Sequence, residues 1–136
     1  MAGYSATPLI KKLGLQSGMK LYLVNAPADY YEWIAPVPEN INIVSRMTAG
    51  LDLVHVFSMD AAQLTKILQQ TRNRLKPDGM IWVSWPKKAA KVATDITEDT
   101  IRTIALPMGL VDIKVCAVTE VWSGLKLVIR KELRGK

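Results

Sequence analysis

The sequence is poor in the residues that build metal, redox and hydrolytic centres. Its 136 residues include one cysteine, Cys116, and one histidine, His55. A single thiol excludes intrachain disulfides and two-cysteine redox motifs. His/Cys zinc clusters lack sufficient ligands, so no metal site is expected. There is no Gly-x-Ser-x-Gly motif and no second histidine, which argues against a hydrolase triad. No apolar run approaches the roughly 20 residues that cross a bilayer. The N-terminal MAGYSATPLIKKLG reaches Lys11 and Lys12 before a signal-peptide core could form. The expected protein is cytoplasmic and makes no membrane contact. Repeats, low-complexity tracts and interdomain linkers are absent too, so residues 1–136 are expected to form one domain, with 1–18 as an N-terminal helical appendage.

What is present is an ordinary core and an uneven charge. The chain is 49% hydrophobic and 22% charged, and a chain of this length buries roughly two-thirds of its unfolded surface without needing a covalent staple. Eighteen basic side chains oppose 12 acidic ones, a formal +6. Residues 1–68 balance five against five, whereas 69–136 hold 13 against 7, so the whole excess lies in the second half.

Strands and helices alternate along the sequence. Thr7-Pro8 before LIKKL and Gly14 predicts a short helix, with a capping hydroxyl, proline at the first helical position and glycine past the end. A strand is expected over 20–25 and a two-turn helix over 28–34, stopped by the prolines of APVPEN. Further strands are expected at 41–44 and 51–57. Asp60 with Gln63 resembles a capping box, and Leu64, Ile67, Leu68, Thr71 and Leu75 recur at helical spacing, so a helix is expected over 61–75. A turn at 76–79 leads to a strand at 80–85 that is apolar on both faces, as in the centre of a covered sheet. Thr97 caps a helix that Pro107 and Gly109 close. Two alternating runs, 110–121 and 125–131, predict a hairpin turning at Trp122-Ser123-Gly124. This pattern is that of a compact Rossmann-like α/β three-layer sandwich of about six strands, mainly parallel with an antiparallel C-terminal hairpin strand.

The run LDLVHVF, a helix, LKPDGMIWVSWPKK, then GLVDIKVCAV with the return strand GLKLVIRK resembles the second half of class I S-adenosylmethionine-dependent methyltransferases, over residues 51–131. The resemblance implies that fold and, as cofactor, S-adenosylmethionine. The first half departs from the pattern. Where that class places a glycine-rich loop, the chain reads NAPADYYEW, with Pro27 deleting a donor. Where an acid would bind the ribose, it reads Val44-Ser45-Arg46, and residues 44–51 are too few for one strand and helix of the full fold. Over nearly its whole length the sequence also resembles a family of small bacterial proteins of unknown function, through YSATPLIKKLG, LVNAP, WVSWPKKAA, ATDITED, ALPMGLVDIKVCAV and WSGLKLVIRK.

In open α/β sheets ligands bind beyond the carboxyl ends of the strands. The candidate ligand-binding residues there are Asn25 and Pro27 after the first strand, Ser58 after the third, and Trp85, Lys87 and Lys88 after the fourth. Asn25 offers a donor and an acceptor, Ser58 a hydroxyl, and the lysines a field for phosphate or carboxylate. Equally, Asn25 can order its turn, Asp60 can be a helix cap and the lysines a solvated loop. Trp82 and Trp85 are expected on opposite faces of one strand. Lys87, Lys88 and Lys91, with the tail Arg130, Lys131, Arg134 and Lys136, form a candidate nucleic-acid patch. His55, between valines in a strand, reads as a satisfied core histidine, and Cys116 as a small hydrophobe. No catalytic residue is assigned. The leading expectation is a binding or regulatory module that has lost the usual cofactor site and takes an anionic small molecule or a protein partner. A transferase acting on an anionic small substrate and a nucleic-acid-associated basic protein are the alternatives. A homodimer through an edge strand is a further possibility.

Overall fold

The branched and aromatic runs form the strands. The computed structural model describes residues 8–134. In chain order, β1 (Lys20–Val24), β2 (Asn42–Val44), β3 (Leu51–Phe57), β4 (Leu75–Pro86), β5 (Leu110–Ala117) and β6 (Trp122–Ile129) build one six-stranded sheet ordered β2-β1-β3-β4-β6-β5. The first four pair in parallel, while β6 runs antiparallel to both β4 and β5. The sheet is therefore the expected Rossmann-like α/β arrangement with an antiparallel C-terminal hairpin.

Four helices cover it: α1 (Leu9–Leu13), α2 (Tyr30–Trp33), α3 (Ala61–Arg72) and α4 (Glu98–Ala105). Side chains alternate across a strand, so successive residues of β3 and β4 feed two separate cores. Val54, Val56, Ile81, Val83, Leu125 and Leu127 meet Leu64 and Leu68 of α3 and Ile101 and Ala105 of α4. Leu21, Leu53, Phe57 and Trp82 meet Leu9 and Leu13 of α1 and Tyr30 of α2 on the opposite face. That second layer is thin, made of one five-residue and one four-residue helix.

Several local expectations change, each for a reason of packing. The N-terminal helix is not an appendage: Leu9, Leu13 and Leu15 are buried, and the Trp82 indole Nε1 donates to the Leu13 carbonyl at 2.9 Å. Gly14 closes it at φ 79° as expected, whereas the capping hydroxyl of Thr7 lies outside the described residues. α2 keeps only Tyr30–Trp33 of the expected 28–34. α3 stops at Arg72 because Leu75 is taken by the sheet, opposite Leu51. Residues 76–79 are not a turn between elements but a bulge inside β4, since the next partners are Leu53 and Met80. After β2, residues 45–50 lead directly to β3 with no intervening strand or helix.

The hairpin turns at 118–121, not at 122–124. The Thr119 hydroxyl accepts from the amides of Val121 and Trp122, each at 3.1 Å, and Val118 donates to the Trp122 carbonyl at 2.9 Å. Gly124, which reads as a turn residue in the sequence, lies inside β6, where a Cβ would stand 3.0 Å from Val118 Cγ2 and 3.2 Å from Trp82 Cε3. Glycine is there so that the backbone can pass over the indole. Gly124→Ala is accordingly expected to destabilise the fold by about 1–3 kcal/mol through overpacking. Urea denaturation checks this, and the midpoint should fall with an unchanged m-value.

Candidate functional site

The strand order reverses direction between β1 and β3, and in open sheets that switch point is where ligands bind. The chain leaves β1 toward the α1–α2 face and leaves β3 toward the α3–α4 face, so a crevice forms between the two loops. Asn25 is exposed in the left-handed region at φ 58°, and its Nδ2 donates to the Phe57 carbonyl at 3.4 Å. The amide thus ties the end of β1 to the end of β3 across the floor of the crevice. Pro27 offers its carbonyl to the Tyr30 amide at 3.0 Å, which starts α2. Ser58 is buried, and its hydroxyl lies 3.1 Å from the Asp60 carbonyl and 3.3 Å from Gln63 Oε1, while accepting from the Asp60 amide at 3.3 Å. Gln63 therefore engages Ser58 and does not close a capping box.

The N-terminus of α3 is answered by the chain itself. Asp60 accepts from the Ala62 amide at 3.3 Å, and Asp95, arriving from the segment after β4, accepts from the Ala61 amide at 2.8 Å. Two carboxylates thus occupy the end of the helix that attracts anions. Trp82 and Trp85 do lie on opposite faces, yet both are buried. Trp85 packs in the core under α3 and α4 and offers the crevice no wall. Lys87 is half-buried, its amide donating to the Val121 carbonyl at 2.7 Å, and exposed Lys88 opens a short 3-10 turn.

The basic residues do not gather. Pro86 pairs with Trp122, and Met80 with Val128, so Arg130 lies beyond the opposite end of β4 from Lys87. Seven residues of strand separate the two ends, about 24 Å. The Lys87-Lys88-Lys91 loop and the Arg130-Lys131-Arg134 tail are two patches, and Lys136 lies outside the described residues. Glu98 and Asp99 do more than favour the α4 dipole: with Asp112 they hold Arg102 at 2.9, 3.0 and 2.8 Å.

His55 is a satisfied core histidine, and the partners that satisfy it are not legible in the sequence. Tyr30 Oη lies 2.8 Å from Nδ1 and Ser84 Oγ 2.7 Å from Nε2, with all three residues fully buried. The ring stacks on Phe57 with centroids 4.4 Å apart. Strand alternation places His55 and Ser84 on one face, but only the short α2 brings Tyr30 over them. A serine, a histidine and a hydroxyl in line would suit proton transfer, yet no solvent reaches them. Among the described residues no three His, Cys, Asp or Glu side chains are grouped to hold a metal.

The crevice does not fit S-adenosylmethionine in the pose its fold implies. The loop after β1 has Asn25 in place of the glycine approach, Pro27 lacks an amide hydrogen, and β2 runs into Ser45 and Arg46, with no carboxylate there to accept from ribose hydroxyls.

The architecture itself recurs among solved structures. Solved structures with the same architecture include a SAM-dependent methyltransferase from Aquifex aeolicus (14% identity, covering 93% of this chain and 90% of that one, TM-score 0.63). Another is an S-adenosylmethionine-dependent methyltransferase from Clostridium acetobutylicum (9%, 88% and 86%, TM-score 0.59). A ribosomal protein L11 methylase from Lactobacillus delbrueckii subsp. bulgaricus is a third (11%, 90% and 75%, TM-score 0.58). At these identities the likeness is one of fold. The chain belongs to DUF3052, a family of proteins of unknown function whose model matches residues 47–131. No curated protein matches it.

Burial pushes the His55 pKa down to about 3, from an ordinary 6.5. A depressed value means that folding favours the neutral ring. Its contribution to stability is whole above pH 6.5, where the unfolded ring is neutral too, and is lost as pH falls toward 3. Stability is expected to decline between pH 6.5 and 5 with a limiting slope of about 1.4 kcal/mol per unit from this group. His55→Gln, less stable overall, should lose that slope; chemical denaturation at stepped pH measures both.

Proposed function

We propose that the chain is a binding or regulatory module carried on a methyltransferase-like fold, and that it does not transfer methyl groups from S-adenosylmethionine. One observation carries this reading: the groups at the switch point are committed to one another. The Asn25 amide bonds to Phe57, the Ser58 hydroxyl to Asp60 and Gln63, and the first amides of α3 to Asp60 and Asp95. An anion arriving at α3 meets two carboxylates in place of free N–H groups, and a ribose arriving at β2 meets Arg46. An anionic small molecule or a protein partner remains the ligand class, taken outside the crevice.

A transferase centred on Asn25, Ser58, Lys87 and Lys88 is less well supported, because Ser58 is buried in a turn and Trp85 faces the other core. Nucleic-acid binding along one continuous track is opposed by the separation of the two basic patches.

The test is a thermal melt of the purified protein with S-adenosylmethionine, S-adenosylhomocysteine and nicotinamide dinucleotides. A ligand at a hundredfold its Kd stabilises by about 2.7 kcal/mol, several degrees in a domain of this size. The expected outcome is no shift with any of them. A shift with S-adenosylmethionine would overturn the proposal and make the chain a divergent methyltransferase.

A further inference from the structure

The connection from β2 to β3 and the end of α3 enclose a depression of about 530 Å³, lined by Met47, Gln69, Gln70, Asn73 and Arg74. Small-molecule sites occupy roughly 300–1,000 Å³, and this one falls within that range. Its two walls are tied to each other. The Arg74 carbonyl accepts from the Leu51 amide at 3.0 Å, and Leu51 pairs with Leu75 where β3 and β4 begin. Lys20 of β1 donates from Nζ to the Ala49 carbonyl at 3.1 Å and holds the connection to the sheet. The depression therefore lies at the amino end of β3, a strand length of about 20 Å from Phe57 and the switch-point crevice.

The polar groups in the lining are available. Among the described residues the carboxamides of Gln69 and Gln70 and the guanidinium of Arg74 make no hydrogen bond or ion pair, and Asn73 uses only Nδ2, toward the Gln69 carbonyl at 3.4 Å. Their neighbours in the chain are committed. Arg72 donates from Nε to the Met108 carbonyl at 3.0 Å, and Lys76 pairs with Asp52 at 3.0 Å. The lining holds no carboxylate that would compete for Arg74 and no lysine that would add to its charge. Met47, whose side chain packs against the core under α3, contributes the apolar surface. Gln69 and Asn73, four residues apart, share one side of the helix end.

We propose that this depression binds a nucleoside monophosphate, which rests on the reading of the chain as a binding module and supplies the class of its anionic ligand. A guanidinium is a planar fork that engages phosphate oxygens through two parallel N–H bonds. One fork with no lysine beside it suits a single terminal phosphoryl group, whereas a diphosphate would leave charge unanswered. A carboxamide presents a donor and an acceptor side by side, the pattern that matches the edge of a nucleobase. Met47 offers the polarisable contact that the face of a ring takes. Phosphate alone would fill a small part of the volume and leave the carboxamides unused. The sequence conceals the site, because Gln69, Gln70 and Asn73 read as the polar face of a helix and only the tie between Arg74 and Leu51 brings Met47 opposite them.

The test is calorimetric titration of the full chain with the nucleoside monophosphates of adenine, guanine, cytosine and uracil, beside inorganic phosphate, citrate and the free nucleosides at matched ionic strength. At least one monophosphate is expected to bind about tenfold more tightly than phosphate, citrate or its own nucleoside. Arg74→Gln removes the fork and should weaken that binding by about tenfold or more. Should Arg74→Gln fail to fold, Arg74→Lys, which keeps the charge without the fork, carries the same measurement. Gln69→Ala combined with Gln70→Ala should shrink the preference for the monophosphate over inorganic phosphate. The proposal is overturned if no monophosphate binds more tightly than phosphate or citrate, if the Arg74 variant leaves the affinity intact, or if the glutamine variant leaves the preference intact. A melting shift with S-adenosylmethionine that survives Arg74→Gln would count against the module reading and not against this site.

Discussion

The indole of Trp82 organises the thin side of this molecule. It is the largest fully buried side chain among the described residues, and its N–H must find an acceptor or bear the cost of an unsatisfied buried donor. The acceptor is the Leu13 carbonyl, one of the last in α1, which no intrahelical amide can reach. One hydrogen bond thus satisfies a side chain in the middle of β4 and a helix end 69 residues away. Gly124 follows from the same ring, because only a residue without a Cβ lets β6 pass over it at that distance. Lys126 is its cross-strand neighbour, and Lys12 reaches the Ala117 carbonyl of β5 from where the indole fixes α1.

Elements governed by local chemistry were legible in the sequence. β3 reads correctly from its branched run, the α4 start from the Thr97 cap, and the α1 stop from Gly14, whereas α4 ends at Ala105 and Gly109 closes the 3-10 turn Leu106–Met108 that follows. Errors arose where a distant contact overrides the local signal. The helical period runs on through Leu75, but Leu51 recruits that residue to the sheet. Trp122-Ser123-Gly124 has turn composition, yet the Thr119 hydroxyl forms the turn and Gly124 serves packing. Asn25 and Ser58 follow directly on the carboxyl ends of β1 and β3, as the strand limits in the sequence imply. What they bond to depends on partners up to 32 residues away, and no periodicity encodes that. Alternation gives opposite faces for Trp82 and Trp85, and the run apolar on both faces gives that both are covered.

The sheet is that of a methyltransferase-like fold, while one of its connections is short. A chain that passes from β2 to β3 through residues 45–50 has no helix on that flank, and a depression of about 530 Å³ lined by Met47, Gln69, Gln70, Asn73 and Arg74 lies there. Shortening of this kind leaves the central strands, and hence both cores, intact. It leaves no strand or helix between β2 and β3. Stability and cofactor binding are separable in this architecture because the cores lie under the faces of the sheet and the ligand groups at its end.

The edge strand β5 has a consequence of its own. Ile113 and Val115 stand 55% and 47% exposed on the edge strand of the sheet, the kind of border that recruits further strands. The register shifts between Asp112 and Lys114, where β5 carries one residue more than β6. An incoming strand could align with the stretch before the shift or with the stretch after it, but not with both in a single register. A register break of this kind confines an added strand to a few hydrogen bonds on either side of it, so the apolar border of β5 is two short ledges, not one long one.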